Sequence, residues 1–265
     1  MNSNSRFNIF AAVKNAYLFV GRERAYLFKT GLVPAAAQIA CALFVQCQRP
    51  DASPVEAYLW SLPATLLLGW FLFLETRLLL LGERQESLPA DGAGGAARRK
   101  GLEASVTAFA LFNMGVVAAF TALLYIEAFV QKAGAGGTAA GFVELLLIGA
   151  LFWGVRLGIV PILAAVRYPV RAALRQTWGL MFSLRLIGMS ILGVLPVMFL
   201  FQILLAAVFA GAPAPSGAGF SLTVGQQTLL NVIGAPMSLL ASALLNAAGA
   251  YALKEILGRG QGKTP

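Results

Sequence analysis

The sequence predicts an all-α polytopic membrane protein, a bundle of six transmembrane helices preceded by an amphipathic interfacial helix. Two observations lead to this fold class. Of the 265 residues, 58% are hydrophobic and only 12% are charged, whereas soluble domains carry about 25% charged residues. The apolar residues also occur in runs of about 20, the length that a helix needs to cross the hydrocarbon core. We therefore expect a single integral membrane domain over residues 1–265.

The first predicted element is an interfacial helix at residues 5–24. Ser5 suits its N-cap, and apolar residues recur on one helical face, away from Asn8, Lys14 and Asn15. A helix that is apolar on one side is expected to lie on the membrane surface. The alternative is a continuous extension of the first span.

Six apolar segments follow, and each is predicted to span the membrane. They cover residues about 30–48, 55–75, 103–130, 141–166, 186–210 and 223–254. Residues 83–101 are glycine-rich and charged, which predicts a flexible cytoplasmic loop. Pro169 suits the first turn of a further short helix. The glycine-rich end at 258–265 is predicted to be disordered.

Basic residues are sorted to one side of this arrangement. Of the 20 lysines and arginines, 17 fall in the N-terminal segment, the second and fourth connections and the C-terminal segment. Arg49 and Lys132 fall on the other side, and Arg156 falls within the membrane. Such a bias indicates that both termini are cytoplasmic and that the number of spans is even. The expected location is a bacterial inner membrane. Four spans with two re-entrant segments would also fit this parity.

Composition excludes several functions. The net charge of +9 does not indicate nucleic-acid binding, because the charges lie between apolar runs as orientation signals do. The chain has no histidine, which rules out histidine metal sites and His-based triads. No nucleotide-binding loop, metal constellation or nucleophile motif occurs either. We therefore expect a protein that is not an enzyme and that has no cofactor.

Arg156 is the most informative single residue, because it lies about 15 Å from the cytoplasmic edge of the fourth predicted span. A central arginine is costly in a membrane, so it should face the protein interior and have a partner. Judged by depth along the spans, Asn113 is a candidate partner of Arg156, and Glu75 is another if the Arg156 side chain extends towards the surface. The functional interpretation is a ligand contact, such as a lipid phosphate. The alternative is a structural pairing that fixes the fourth span to its neighbours.

Three arginines recur at every fourth position after the fourth span: Arg167, Arg171 and Arg175. On one helix they would form a stripe, with Trp178 near it. An arginine stripe at the inner surface attracts anionic lipid headgroups, by about 1 kcal/mol for each charge. The same pattern is also explained by topology alone.

Polar residues within the spans leave a second function open. Ser238, Ser242 and Asn246 share one face of the sixth predicted span, as expected for a hydrogen-bonding contact between helices or for a polar path. A small permease would need a polar cavity lined by residues such as Arg156, Asn113, Gln202 and Asn246. No pair of matching broken helices supports a transporter fold.

Three motifs carry a family resemblance: VRLGIVP at 155–161, Thr177-Trp178-Gly179-Leu180, and LRLIG at 184–188. With the N-terminal amphipathic helix, they resemble bacterial inner-membrane proteins of the YciC type and the membrane domain that precedes some glycerophosphodiester phosphodiesterases. Threonine stands where those families have serine, and no phosphodiesterase domain is present. The resemblance implies a six-span membrane protein linked to envelope or lipid homeostasis, and it does not imply an enzyme. The expected partners are anionic lipids, and another membrane protein or a second copy is a further possibility.

Overall fold

The computed structural model describes residues 7–49, 51–84, 93–132, 155–177, 179–209 and 223–260, with isolated positions between 141 and 154. These ranges are helical and contain no strand. The α-helices are α1 (Ile9–Arg22), α2 (Arg24–Gln48), α3 (Pro54–Trp60), α4 (Leu62–Leu81), α5 (Ala93–Lys132), α6 (Val160–Ala165), α7 (Val170–Gln176), α8 (Leu180–Phe209) and α9 (Val224–Gly260). A 3₁₀ helix, Val155–Ile159, leads directly into α6.

Five helices in the described part of the chain are long and apolar enough to cross a membrane: α2, α4, α5, α8 and α9. This agrees with the predicted class of all-α membrane protein. The predicted count of six is not confirmed, because nine positions in the first half of the fourth predicted span, 141–166, lie outside the described residues. Its described end is the shorter apolar segment Val155–Ala165.

Two pairs of packed helices, α2 with α9 and α5 with α6, run in opposite directions. Gln46 near the end of α2 donates to the carbonyl of Val224 at the start of α9, at 3.1 Å. Ser105 near the start of α5 donates to the carbonyl of Pro161 in α6, at 2.9 Å. The start of α1 and the end of α9 meet, because the N–H of Asn8 donates to the Glu255 carboxylate at 3.0 Å. We call this end of the bundle the basic end.

The helix predicted at the N-terminus is present as α1, and its buried side faces protein. Ala12, Ala16 and Phe19 are buried against α8 and α9. The Tyr17 hydroxyl donates to the carbonyl of Gly193 in α8, at 2.8 Å. Phe10 lies on the predicted apolar face but is 74% exposed. Placement of α1 at a membrane surface stays a prediction.

Helix boundaries differ from the predicted ones in physically simple ways. The predicted loop 83–101 is helical from Ala93, since alanine, arginine and lysine there are good helix formers. Likewise α9 continues to Gly260, so the predicted disordered tail is helical over 258–260. The second predicted span, 55–75, is divided at Ser61 into α3 and α4.

The short helix α3 begins with a reciprocal cap on the end of the bundle opposite the basic end. The Ser53 hydroxyl accepts the Glu56 N–H at 3.3 Å, and the Glu56 carboxylate accepts the Ser53 N–H at 2.9 Å. The Ser53 N–H and then the Ser53 hydroxyl, which donates to the same carboxylate at 3.2 Å, lower the pKa of Glu56 from its ordinary value. The cap fixes where the chain re-enters the bundle after α2.

Candidate lipid-binding surface

The helix α7 presents two arginines on its outer face. Its other face is anchored, because Ala173 is fully buried and Thr177, directly after the helix, is 1% exposed. The Thr177 hydroxyl donates to the carbonyl of Ala173 at 3.0 Å, which closes the helix end. Arg171 and Arg175 are exposed, and one helical turn separates them. The sequence therefore fixes α7 to the bundle with its cationic side outward.

Arg167 does not belong to the same helix. It lies in the turn between α6 and α7 with a φ of 57°, a left-handed conformation that non-glycine residues adopt rarely. The N–H of Arg167 donates to Ala164 at 3.1 Å, and that of Tyr168 donates to Leu163 at 2.9 Å, so this turn terminates α6. The predicted stripe of three is thus a helical pair and a separate exposed turn residue. Trp178, predicted to lie near it, is outside the described residues.

Shortly after α7, the chain exposes apolar side chains as well. Leu180, Met181 and Leu184 in the first turns of α8 are 58%, 61% and 47% exposed. Arg185 points inward instead, because it is half-buried and its Nη1 donates to the carbonyl of Phe7 at 2.8 Å. Exposed arginines followed along the chain by exposed apolar residues are the pattern expected where a headgroup layer meets hydrocarbon.

Other arginines at the basic end are held by acidic neighbours. Arg77 donates from Nε to Glu83 at 2.7 Å and from Nη1 to the carbonyl of Ala165 at 3.0 Å. Arg84 pairs with Glu23 at 2.9 Å. By contrast, Arg171 and Arg175 make no ion pair with any residue that the structure describes. Their charge is therefore available to an anion.

Arg156 is buried, with 3% of its surface exposed. Its Nε donates to the Ser183 hydroxyl at 2.6 Å, and its Nη2 donates to the carbonyl of Gly179 at 2.6 Å. Both acceptors lie at the start of α8, and Ser183 is itself fully buried. These bonds fasten the end of the fourth apolar segment to the helix that follows α7. The arrangement stabilises the position from which α7 projects its arginines.

Glu75, a predicted partner of Arg156, is instead brought together with Asn246 from the predicted polar face of the sixth span. The Asn246 amide donates to Glu75 Oε2 at 2.9 Å, to the Thr76 hydroxyl at 3.0 Å and to the carbonyl of Leu72 at 3.2 Å. Glu75 has no exposed surface, and its Oε1 has no hydrogen-bond partner among the described residues. This cluster joins α4 to α9 inside the bundle.

The residues named for a permease cavity are dispersed. Asn113 donates to the carbonyl of Phe109 in its own helix at 2.9 Å. Gln202 is exposed on α8, while Asn246 is engaged by α4. Two concave regions stand out in the described structure, an apolar groove beside α2 and a smaller polar pocket at Gln46, and neither is lined by Arg156, Asn113, Gln202 or Asn246.

In the described ranges, no group of three or more acidic or cysteine side chains is placed to hold a metal ion.

Comparison with known proteins adds no relative: no family model, no curated protein and no solved structure matches the chain. The family resemblance drawn from the residues around Arg156 stays a prediction.

Proposed function

We propose that this chain is a six-span inner-membrane protein, not an enzyme, that binds anionic lipid headgroups with α7 at a cytoplasmic basic end. The observation that carries the proposal is the pair Arg171 and Arg175, which is exposed, is not paired with any described acid and is held outward by a buried helix face. Exposed apolar residues at the start of α8 give the pair a place at a membrane interface.

The resemblance to YciC-type proteins agrees with this proposal, since it implies a role in envelope or lipid homeostasis. Topology alone also explains basic residues on one side of a membrane. The two explanations differ in what they require of α7. An orientation signal needs charge on the correct side, whereas a lipid site needs charge at these two positions.

The test measures binding of a fluorescent phosphatidylglycerol to the purified protein in neutral detergent. Arg171→Gln/Arg175→Gln removes two charges from α7. At about 1 kcal/mol for each charge, affinity should fall about 30-fold. The matched control is Arg99→Gln/Lys100→Gln, which removes two exposed charges at the start of α5. This control should change affinity much less.

A zwitterionic phosphatidylcholine probe completes the design. Wild type and both double variants should bind this probe with equal affinity, because it carries no net charge for the α7 arginines to attract. Added salt should weaken binding of the anionic probe by wild type, since exposed charges are screened over about 10 Å at 0.1 M. Equal affinities of wild type and both double variants for phosphatidylglycerol would refute lipid binding by α7 and leave its arginines as orientation signals.

A further inference from the structure

We propose that the groove between α2 and α9 holds one acyl chain of an anionic phospholipid, whose phosphate is bound by Arg24. The groove has a volume of about 530 Å³, within the range of about 300–1,000 Å³ that is usual for ligand sites. This site is separate from α7, so either proposal can fail without the other.

Small residues create the groove, although α2 and α9 are in close contact at one point. A Cβ on Gly31 would lie 2.6 Å from Leu239 Cδ2, so glycine lets the two helices approach there. Ala35 and Ala36 on α2 and Ala243 on α9 line the open length beside this contact. The groove therefore results from the small side chains on two packed helices.

The lining matches the chemistry of a lipid. Its walls are almost entirely apolar, and Phe71 of α4 lies among them. Arg24 is the one charged residue among the lining side chains. It is exposed and makes no ion pair with the described residues, whereas its neighbours Arg22 and Arg84 both pair with Glu23. A single free cation at one end of an apolar groove is complementary to an anionic headgroup with an acyl tail.

The length of the groove also fits one leaflet. Along α2 the lining extends from Arg24 to Ile39, which is about 22 Å at 1.5 Å for each residue. Half of a bilayer, with its headgroup region, measures about 20–22 Å. Arg24 lies at the start of α2, next to the Glu23–Arg84 pair of the basic end. A lipid of the cytoplasmic leaflet would therefore place its phosphate at Arg24 and its tail towards Ile39.

The first experiment is native mass spectrometry of the full chain, released from bilayers of equal phosphatidylglycerol and phosphatidylethanolamine. Ala36→Phe fills the groove and should lower the number of retained lipids by one, whether or not α7 holds another. Arg24→Gln should lower the ratio of anionic to zwitterionic lipid about fivefold, the effect of about 1 kcal/mol. The controls are Ala40→Phe, an exposed α2 position outside the groove, and Arg99→Gln. Both should retain lipid as wild type does.

A second measurement does not depend on how Ala36→Phe folds. A photoreactive benzophenone amino acid at position 36 should give, on illumination, an adduct with the mass of one phospholipid. A crosslinked dimer of the chain, or an adduct with another protein, would overturn the proposal and identify a protein as the occupant. Equal lipid retention by wild type, Ala36→Phe and Arg24→Gln would overturn it as well.

Discussion

Replacement of Asn246 by alanine should weaken the contact between α4 and α9. The Asn246 amide has two N–H groups, and they serve three acceptors: Glu75, Thr76 and the carbonyl of Leu72. A hydrogen bond between membrane helices contributes on average about 0.6 kcal/mol and at most about 1.7 kcal/mol. Loss of two such donors therefore predicts a decrease of about 1–3 kcal/mol in the free energy of unfolding.

The Glu75 carboxyl determines where in this interval the value falls. Its Oε1 already has no partner among the described residues, so the variant leaves both oxygens without one. A buried polar group that loses its partner costs about 1–3 kcal/mol, which favours the upper half of the interval. Substitution of both partners by apolar residues removes this cost, so Glu75→Leu/Asn246→Leu should be less destabilising than Asn246→Leu alone.

The assay is equilibrium unfolding in mixed micelles with increasing SDS, followed by circular dichroism. Ser238→Ala is the matched control, since this exposed serine lies on the same predicted polar face of α9. It should change stability by less than about 0.5 kcal/mol, as surface substitutions do. A loss of less than about 0.5 kcal/mol in Asn246→Ala would refute the predicted contribution of Asn246. A Glu75→Leu/Asn246→Leu variant that is no more stable than Asn246→Leu would refute the coupling between the two residues.

Two further substitutions test the segment that carries α7. Ser183→Ala should destabilise the protein by about 1.5–3 kcal/mol, because it removes a hydrogen-bond acceptor from the buried Arg156 guanidinium. Ser190→Ala is the control and should not, since the Ser190 hydroxyl bonds to its own helix. Equal melting temperatures of the two variants would contradict this. Arg167→Gly should have a higher melting temperature than Arg167→Ala. Both variants lack the arginine side chain, but only glycine removes the conformational cost, about 1 kcal/mol, of the left-handed backbone at this position. The reverse order would show that the turn is unstrained.

Sequence patterns predicted the class of protein well, because length and hydropathy of a span depend on the bilayer and on few other factors. The lateral partners of each helix do not follow from these patterns. Depth counting paired Arg156 with Asn113 or Glu75, but depth says nothing about the rotation of a helix. The structure turns Arg156 towards Ser183 of α8 and towards Gly179, directly before α8, instead.

An amphipathic pattern was similarly ambiguous for α1. It shows that one side of a helix is apolar but not whether lipid or protein covers that side. The buried Ala12, Ala16 and Phe19 face protein here, and the small size of two of them is a signal for close helix packing. The groove beside Ala35 and Ala36 was not predicted, since alanines on a span indicate close packing as readily as open space.

Tags at the two chain ends test the topology most directly. The hydrogen bond between Asn8 and Glu255 places the start of α1 and the end of α9 at one end of the bundle, where Arg171 and Arg175 would meet the cytoplasmic leaflet. An impermeant protease applied to inside-out membrane vesicles should remove both tags, and right-side-out vesicles should protect both. Removal of one tag from each type of vesicle would place the ends on opposite faces and contradict the topology on which the lipid-binding role of α7 depends.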